Sequence, residues 1–213
     1  MKNKIKPVFT PSVYESIRKT VGALPAESGG MLCGNRKTGA ITFFFFDEQA
    51  ECSSVTYVPD TVVLNRMLPK LNAMGLDLMG FAHSHPTNFS TPSGGDAEYC
   101  RKIFAANPAL SYFVIPIVEP ADRNGDFCMR VFIATKNGGQ IEIERAHLQV
   151  VELNFDDSQI ELPLDGPELK IKSEQLAAAQ DQTVLPTRSM MPPKPGSGAP
   201  SAVDATTETK ATN

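Results

Sequence analysis

Two histidines separated by one serine, His83 and His85, close an apolar run that begins at Leu76, and Pro86 follows at once. In an extended segment, side chains at i and i+2 leave the same face, so both imidazoles can reach one metal ion. Pro86 has no N–H to offer a neighbouring strand, which places the pair at a strand end. A loop of small and polar residues then leads to Asp96. Two imidazoles and a carboxylate form an N/O ligand set that suits Zn²⁺, with a fourth position left for water. The chain holds three histidines in 213 residues, and two of them are here. That concentration argues against incidental histidines at a polar strand end. His147, the third, stands alone in a strand-like segment and reads as a structural or surface residue.

The neighbours of the pair admit more than one role. Asp96 alone also reads as a helix cap, since aspartate is favoured there, and the two roles are compatible. Gly94 and Gly95 give the backbone freedom to turn the carboxylate toward the histidines. Ser93 is either loop filler or a hydroxyl aimed at negative charge developing beside the metal. Glu27, ahead of Gly29 and Gly30, is distant in sequence, and a lone glutamate is ordinarily solvated; residue type alone does not select it.

The elements that must position these groups follow from apolar spacing. Thr10-Pro11-Ser12 opens a helix, with proline in the first turn and Glu15 three residues after Ser12. Val13, Ile17 and Val21 form its buried face, and Gly22 ends it. A strand over Met31-Leu32-Cys33 follows Glu27. Ile41 to Phe46 is a strand whose four phenylalanines require cover on both faces. Val55 to Val58 is a short strand. Asp60 caps a second helix with Val63, Met67 and Leu71 on one face; Pro69 predicts a kink or early end, and Gly75 a stop. Leu76 to Ala82 is the strand that delivers the histidines. A helix over Ala97 to Phe104 ends at Asn107-Pro108. Leu110 to Val118 is a strand in which Pro116 argues for an edge or a bulge. Asp122 to Asp126 is a turn with Asn-Gly at its centre. Phe127 to Ala134 and Ile141 to Val151 complete the strands, the last with one wet face. The order of elements gives an α/β (α+β) domain over residues 1–154.

Composition excludes several classes. Net charge is −4 with pI near 5.4, so no clustered basic surface for nucleic acid is expected. The basic start, Lys2, Lys4 and Lys6, is not followed by the apolar region of a signal peptide. No run approaches the ~18 apolar residues of a membrane span, so a cytoplasmic protein without membrane contact is expected. Cys33, Cys52, Cys100 and Cys128 form no CxxC pair and read as reduced, small core residues. Residues 155–213 carry nine acidic and five basic side chains, the whole of the net charge. Beyond Asp181 there is little to bury, and a disordered tail is expected. Its alternative role is a polyproline segment, Met191 to Pro195, that docks on a partner.

The spacing His83-Ser84-His85-Pro86, six residues, then Ser93-Gly94-Gly95-Asp96 resembles the JAMM motif of the JAB/MPN metalloprotease family, H-x-H-P-x6-S-x2-D with an upstream glutamate, which Glu27 matches. The resemblance covers roughly residues 5–150. It implies a cytidine-deaminase-like fold, a central mixed sheet flanked by helices. It implies that His83, His85 and Asp96 bind one Zn²⁺ ion with water in the fourth position. Glu27 would then accept and return the proton, and Ser93 would stabilise the oxyanion. Zinc brings the pKa of its water to about 7, so no catalytic cysteine is required.

Family members that keep all five residues commonly cleave isopeptide or peptide bonds after the C-terminal glycine of ubiquitin or a ubiquitin-like protein. Members that lack them are scaffolds. The compact chain resembles bacterial JAB proteins found with activating and conjugating-like enzymes. The resemblance thus implies a zinc metallo-isopeptidase acting on ubiquitin-like tails, with specificity from the loops at 47–54 and 88–93. The alternatives are a peptidase that processes a sulfur-carrier protein's C terminus and a non-catalytic, zinc-stabilised binding module.

Overall fold

The computed structural model describes residues 6–24, 27–53, 56–121, 127–152 and 185. The elements run β1 (Val8–Phe9), α1 (Pro11–Lys19), β2 (Gly29–Asn35), β3 (Ala40–Phe46), β4 (Glu51–Ser53), β5 (Thr56–Val58), α2 (Thr61–Ala73) and β6 (Asp77–Ser84). They continue with α3 (Gly94–Ala106), β7 (Tyr112–Glu119), β8 (Cys128–Asn137), β9 (Gln140–Ala146) and β10 (Gln149–Val150). Eight strands form one mixed sheet in the order β10-β1-β3-β2-β6-β7-β8-β9, and β4 with β5 makes a separate hairpin. No helix among the described residues is long and apolar enough to cross a membrane.

The connection after β9 determines the shape of the sheet. β9 and β10 lie at opposite ends of the strand order, yet only His147 and Leu148 separate them. Three Cα steps reach at most about 11 Å, so the sheet must curl until its two edges nearly meet. One face packs on α1 through Phe9, Val13, Ile17, Leu32 and Val114. The other packs on α2 and α3 through Leu64, Leu68, Leu71, Ile103 and Phe104. The four phenylalanines of β3 serve both faces, Phe43 and Phe45 toward α2 and α3, Phe44 and Phe46 toward α1.

Strand β6 carries a bulge. It pairs with β2 as Leu32 with Gly80, then Cys33 with Leu78, so Met79 has no counterpart. Leu78 and Phe81, three residues apart, therefore face α2 and α3 together, while Met79 faces α1. A Cβ at Gly80 would overlap the Val114 carbonyl oxygen, so glycine is what allows β7 to approach here.

Several expectations change. The cap of α1 is Thr10, whose hydroxyl accepts from the Val13 N–H at 3.4 Å, with Pro11 at the first helical position. Glu15 pairs with Arg18 instead of closing a capping box. The helix ends at Lys19, where the Thr20 hydroxyl donates to the Ser16 carbonyl at 2.7 Å, and Val21 stays buried in a following 3₁₀ turn. Helix α2 runs through Pro69 without an early end. Proline inside a helix costs about 3 kcal/mol, but burying Leu64, Leu68 and Leu71 returns roughly 1.5–3 kcal/mol each. The buried stripe is that trio, shifted from Val63 and Met67, which flank it half-buried.

Pro116 sits in an interior strand, between β6 and β8. The β6–β7 register runs from Gly80 with Val114 to His83 with Ile117 and passes over it, so one missing donor interrupts the ladder without ending it. The last strand divides: β9 stops at Ala146, β10 crosses to pair with β1, and His147 is exposed between them. Cys33 and Cys100 are core residues, but Cys52 is exposed on the short β4–β5 hairpin, which has too little cover to bury it. Val55, the turn at 122–126 and the segment at 191–195 lie outside the described residues, as does the rest of 155–213 except Leu185. That residue is 2% exposed and belongs to the α2–α3 core, contrary to its assignment to a tail with nothing to bury.

Candidate metal centre

His83 leaves β6 on the face toward α3, and His85 follows just beyond the strand end. Their Nε2 atoms stand 3.0 Å apart. The Asp96 carboxylate faces both, with Oδ1 at 3.0 Å from His83 Nε2 and Oδ2 at 3.4 Å from His85 Nε2. Both imidazoles are buried. Two ring nitrogens at this separation repel unless a proton or a cation lies between them. Donor atoms around a tetrahedral zinc, with bonds of roughly 2.0–2.1 Å, are about 3.3 Å apart. The spacing and chemistry of this donor set, all within 4.8 Å, therefore fit one metal ion.

Local structure fixes each donor. His85 Nδ1 lies 3.0 Å from the Phe89 carbonyl oxygen; a carbonyl only accepts, so Nδ1 carries the proton and Nε2 presents its lone pair. The loop that returns Phe89 passes through Asn88 in the left-handed region, at φ 74°. The Tyr57 ring stacks on His83, with centroids 6.3 Å apart and planes at 15°.

Asp96 is held by the start of α3. Ser93 is the N-cap: its Oγ accepts from the Asp96 N–H at 3.2 Å, and Asp96 Oδ2 accepts from the Ser93 N–H at 2.6 Å. This reciprocal capping box assigns the cap to Ser93 and the third helical position to Asp96. Gly94 and Gly95 are ordinary first-turn residues, not a swivel. A hydroxyl that accepts one hydrogen bond still has its own proton to donate.

Glu27 reaches the same place by a route that sequence spacing does not show. Ser84, between the two histidines, points to the opposite side of the strand. Its Oγ accepts from the Ser28 N–H at 2.9 Å, and its own N–H donates to the Ser28 carbonyl at 2.8 Å. The next residue, Gly29, pairs with His83 and has no room for a Cβ against Tyr57 and the Ala82 carbonyl. The chain just before this clamp brings the half-buried Glu27 carboxylate to the Tyr57 N–H and within electrostatic range of His83, His85 and Asp96. Tyr57 is tied in turn: its hydroxyl donates to Asp47, which also accepts from the Asp60 N–H at the start of α2.

The electrostatics follow from this packing. Burial raises the pKa of Glu27, opposed by the charges of His85 and His83. Burial also acts to raise Asp96, but when the imidazoles are protonated the charge of His83 and hydrogen bonds from His83 and His85, together with the Ser93 N–H, outweigh it and hold the carboxyl well below the usual range. Cys100, behind the site, is pushed up to about 12 by burial and is no nucleophile near neutral pH.

Ser84, Tyr57 and the Phe89 carbonyl are the supporting groups that spacing alone did not reveal. Ser84 could have been suspected from its place between the histidines, but its partner was not visible. Ser84→Ala is expected to strand the buried Ser28 N–H and lower stability by about 1–3 kcal/mol. Urea unfolding monitored by circular dichroism measures this.

The fold is similar to that of a protein from Desulfitobacterium hafniense solved in solution, with TM-score 0.50 and 19% identity over 69% of this chain and 94% of that one. It also matches the crystal structure of a JAB1/MPN domain protein from Archaeoglobus fulgidus, with TM-score 0.36 and 17% identity over 70% of this chain and 100% of that one. A comparison with curated proteins finds no match. The family model for prokaryotic homologs of the JAB domain matches residues 11–131. That span is more than half of the chain and contains Glu27, both histidines, Ser93 and Asp96: the chain belongs to the family of prokaryotic JAB-domain homologs.

Proposed function

We propose that the chain is a zinc-dependent peptidase that hydrolyses an amide or isopeptide bond at the tail of a ubiquitin-like protein. The observation that carries this reading is that the half-buried Glu27 carboxylate lies within electrostatic range of the His83, His85 and Asp96 cluster. A centre that held metal only to stabilise the fold would have no use for a half-buried carboxylate at its margin. The three donors would hold the ion, and zinc bound there would acidify water and polarise the scissile carbonyl. Glu27, its pKa raised by burial, takes a proton from the attacking water and returns it to the leaving amine. The Ser93 hydroxyl, at the lip of the cluster, donates to the oxyanion of the substrate. His85 is kept in the ligating tautomer by Phe89.

Zinc-loaded protein is expected to cleave a ubiquitin-like fusion or isopeptide conjugate. A chelator should abolish cleavage and added Zn²⁺ restore it. Cleavage followed by gel and intact mass measures this. A zinc-loaded protein that cleaves neither ubiquitin-like nor sulfur-carrier precursors would favour the binding module instead.

A further inference from the structure

Leu185 is separated from β10 by more than thirty residues of chain, yet it is 2% exposed and packed into the core formed with α2 and α3. Its backbone is read by one side chain. Asn65, on α2, donates through Nδ2 to the Leu185 carbonyl at 3.0 Å, and its Oδ1 accepts from the Leu185 N–H at 2.7 Å. An extended residue directs its own N–H and C=O to the same side, which is how paired strands exchange two bonds. The Asn65 amide does here what a neighbouring strand residue would do. Leu185 precedes Pro186, and the residue before proline is confined to extended backbone, so the conformation that Asn65 reads is set in advance.

We propose that this face of α2 is a docking pocket for an extended, leucine-bearing peptide, and that the chain's own Leu185 is its resident occupant, held in cis. Two features define the ligand. The apolar pocket takes a branched side chain, and Asn65 reads main-chain groups that every residue except proline offers in full. Recognition therefore demands a leucine-like side chain on an extended backbone and little else. Because Leu185 is tethered, it meets the pocket at an effective concentration on the order of millimolar, and a free peptide must compete with it.

The test uses the full-length chain and a fluorescent peptide of residues 181–189. Leu185→Asp empties the pocket in cis. The peptide is expected to bind this variant saturably and wild type at least about tenfold more weakly, the competition set by the tether. Adding Asn65→Ala to the variant should abolish binding. Equal binding to wild type and to Leu185→Asp, or none to a folded Leu185→Asp, overturns the proposal. A measurement on wild type needs no variant: the Leu185 amide should exchange with solvent at least about tenfold more slowly than an unstructured amide. Exchange at the unstructured rate overturns it equally.

Discussion

Glu27→Gln is expected to keep its full complement of zinc and to lose on the order of 10²–10⁴ in turnover. The substitution preserves shape. A glutamine carbonyl can still accept from the Tyr57 N–H, and the Ser28–Ser84 clamp that positions the segment uses no atom of residue 27. None of the three donors is touched, so elemental analysis should return the same metal-to-protein ratio as wild type. What disappears is a group able to take a proton and give it back. Turnover on a ubiquitin-like fusion, measured beside metal content, separates the two properties. A variant with normal zinc and normal turnover would remove Glu27 from the reaction and leave the site a metal anchor.

Asp96→Asn should weaken zinc binding on the order of 10²-fold or more, beyond the 10–100-fold typical of losing a group behind the ligands. Asp96 supplies the single negative charge among the donors, and a neutral amide oxygen does not replace it. The fold should survive, because asparagine retains an oxygen that can accept from the Ser93 N–H, and Ser93 Oγ still caps the Asp96 N–H. Competition against a chromophoric chelator reads the affinity, and circular dichroism confirms the helix. If affinity is unchanged while the helix is weakened, Asp96 is a cap and not a ligand.

The histidine pair was legible because its information is local. Two residues at i and i+2 before a proline specify a strand end and a shared face, and the structure puts both imidazoles there. Asp96 was legible for a related reason: helix α3 starts where a small-residue loop ends, and Ser93 and Asp96 cap one another. Glu27 was different. Its placement depends on Ser84 holding Ser28 across two strands, and no spacing within the sequence encodes that contact; only the family resemblance pointed to it. The errors in the fold share this cause. Reading α2 by period alone chose Val63 and Met67, whereas the leucines won because their burial is larger. Pro116 looked like an edge because a missing donor is a local fact, but being flanked by β6 and β8 is not. The crossing of β10 to the far end of the sheet follows from closure, which no single strand announces.

The bulge at Met79 bears on how the length of this chain can change. Strand β6 holds one residue more than β2 can match. Deleting Met79 would return the strand to simple alternation with Leu78, Phe81 and His83 still on the α3 side, at the cost of the packing of Met79 against Tyr112. A single deletion or insertion between Phe81 and His83 has no such slack. It turns both imidazoles toward α1 and brings Ser84 round to Asp96. Along this strand, therefore, loss of Met79 leaves the metal donors in register, whereas a one-residue change of length beyond Gly80 does not.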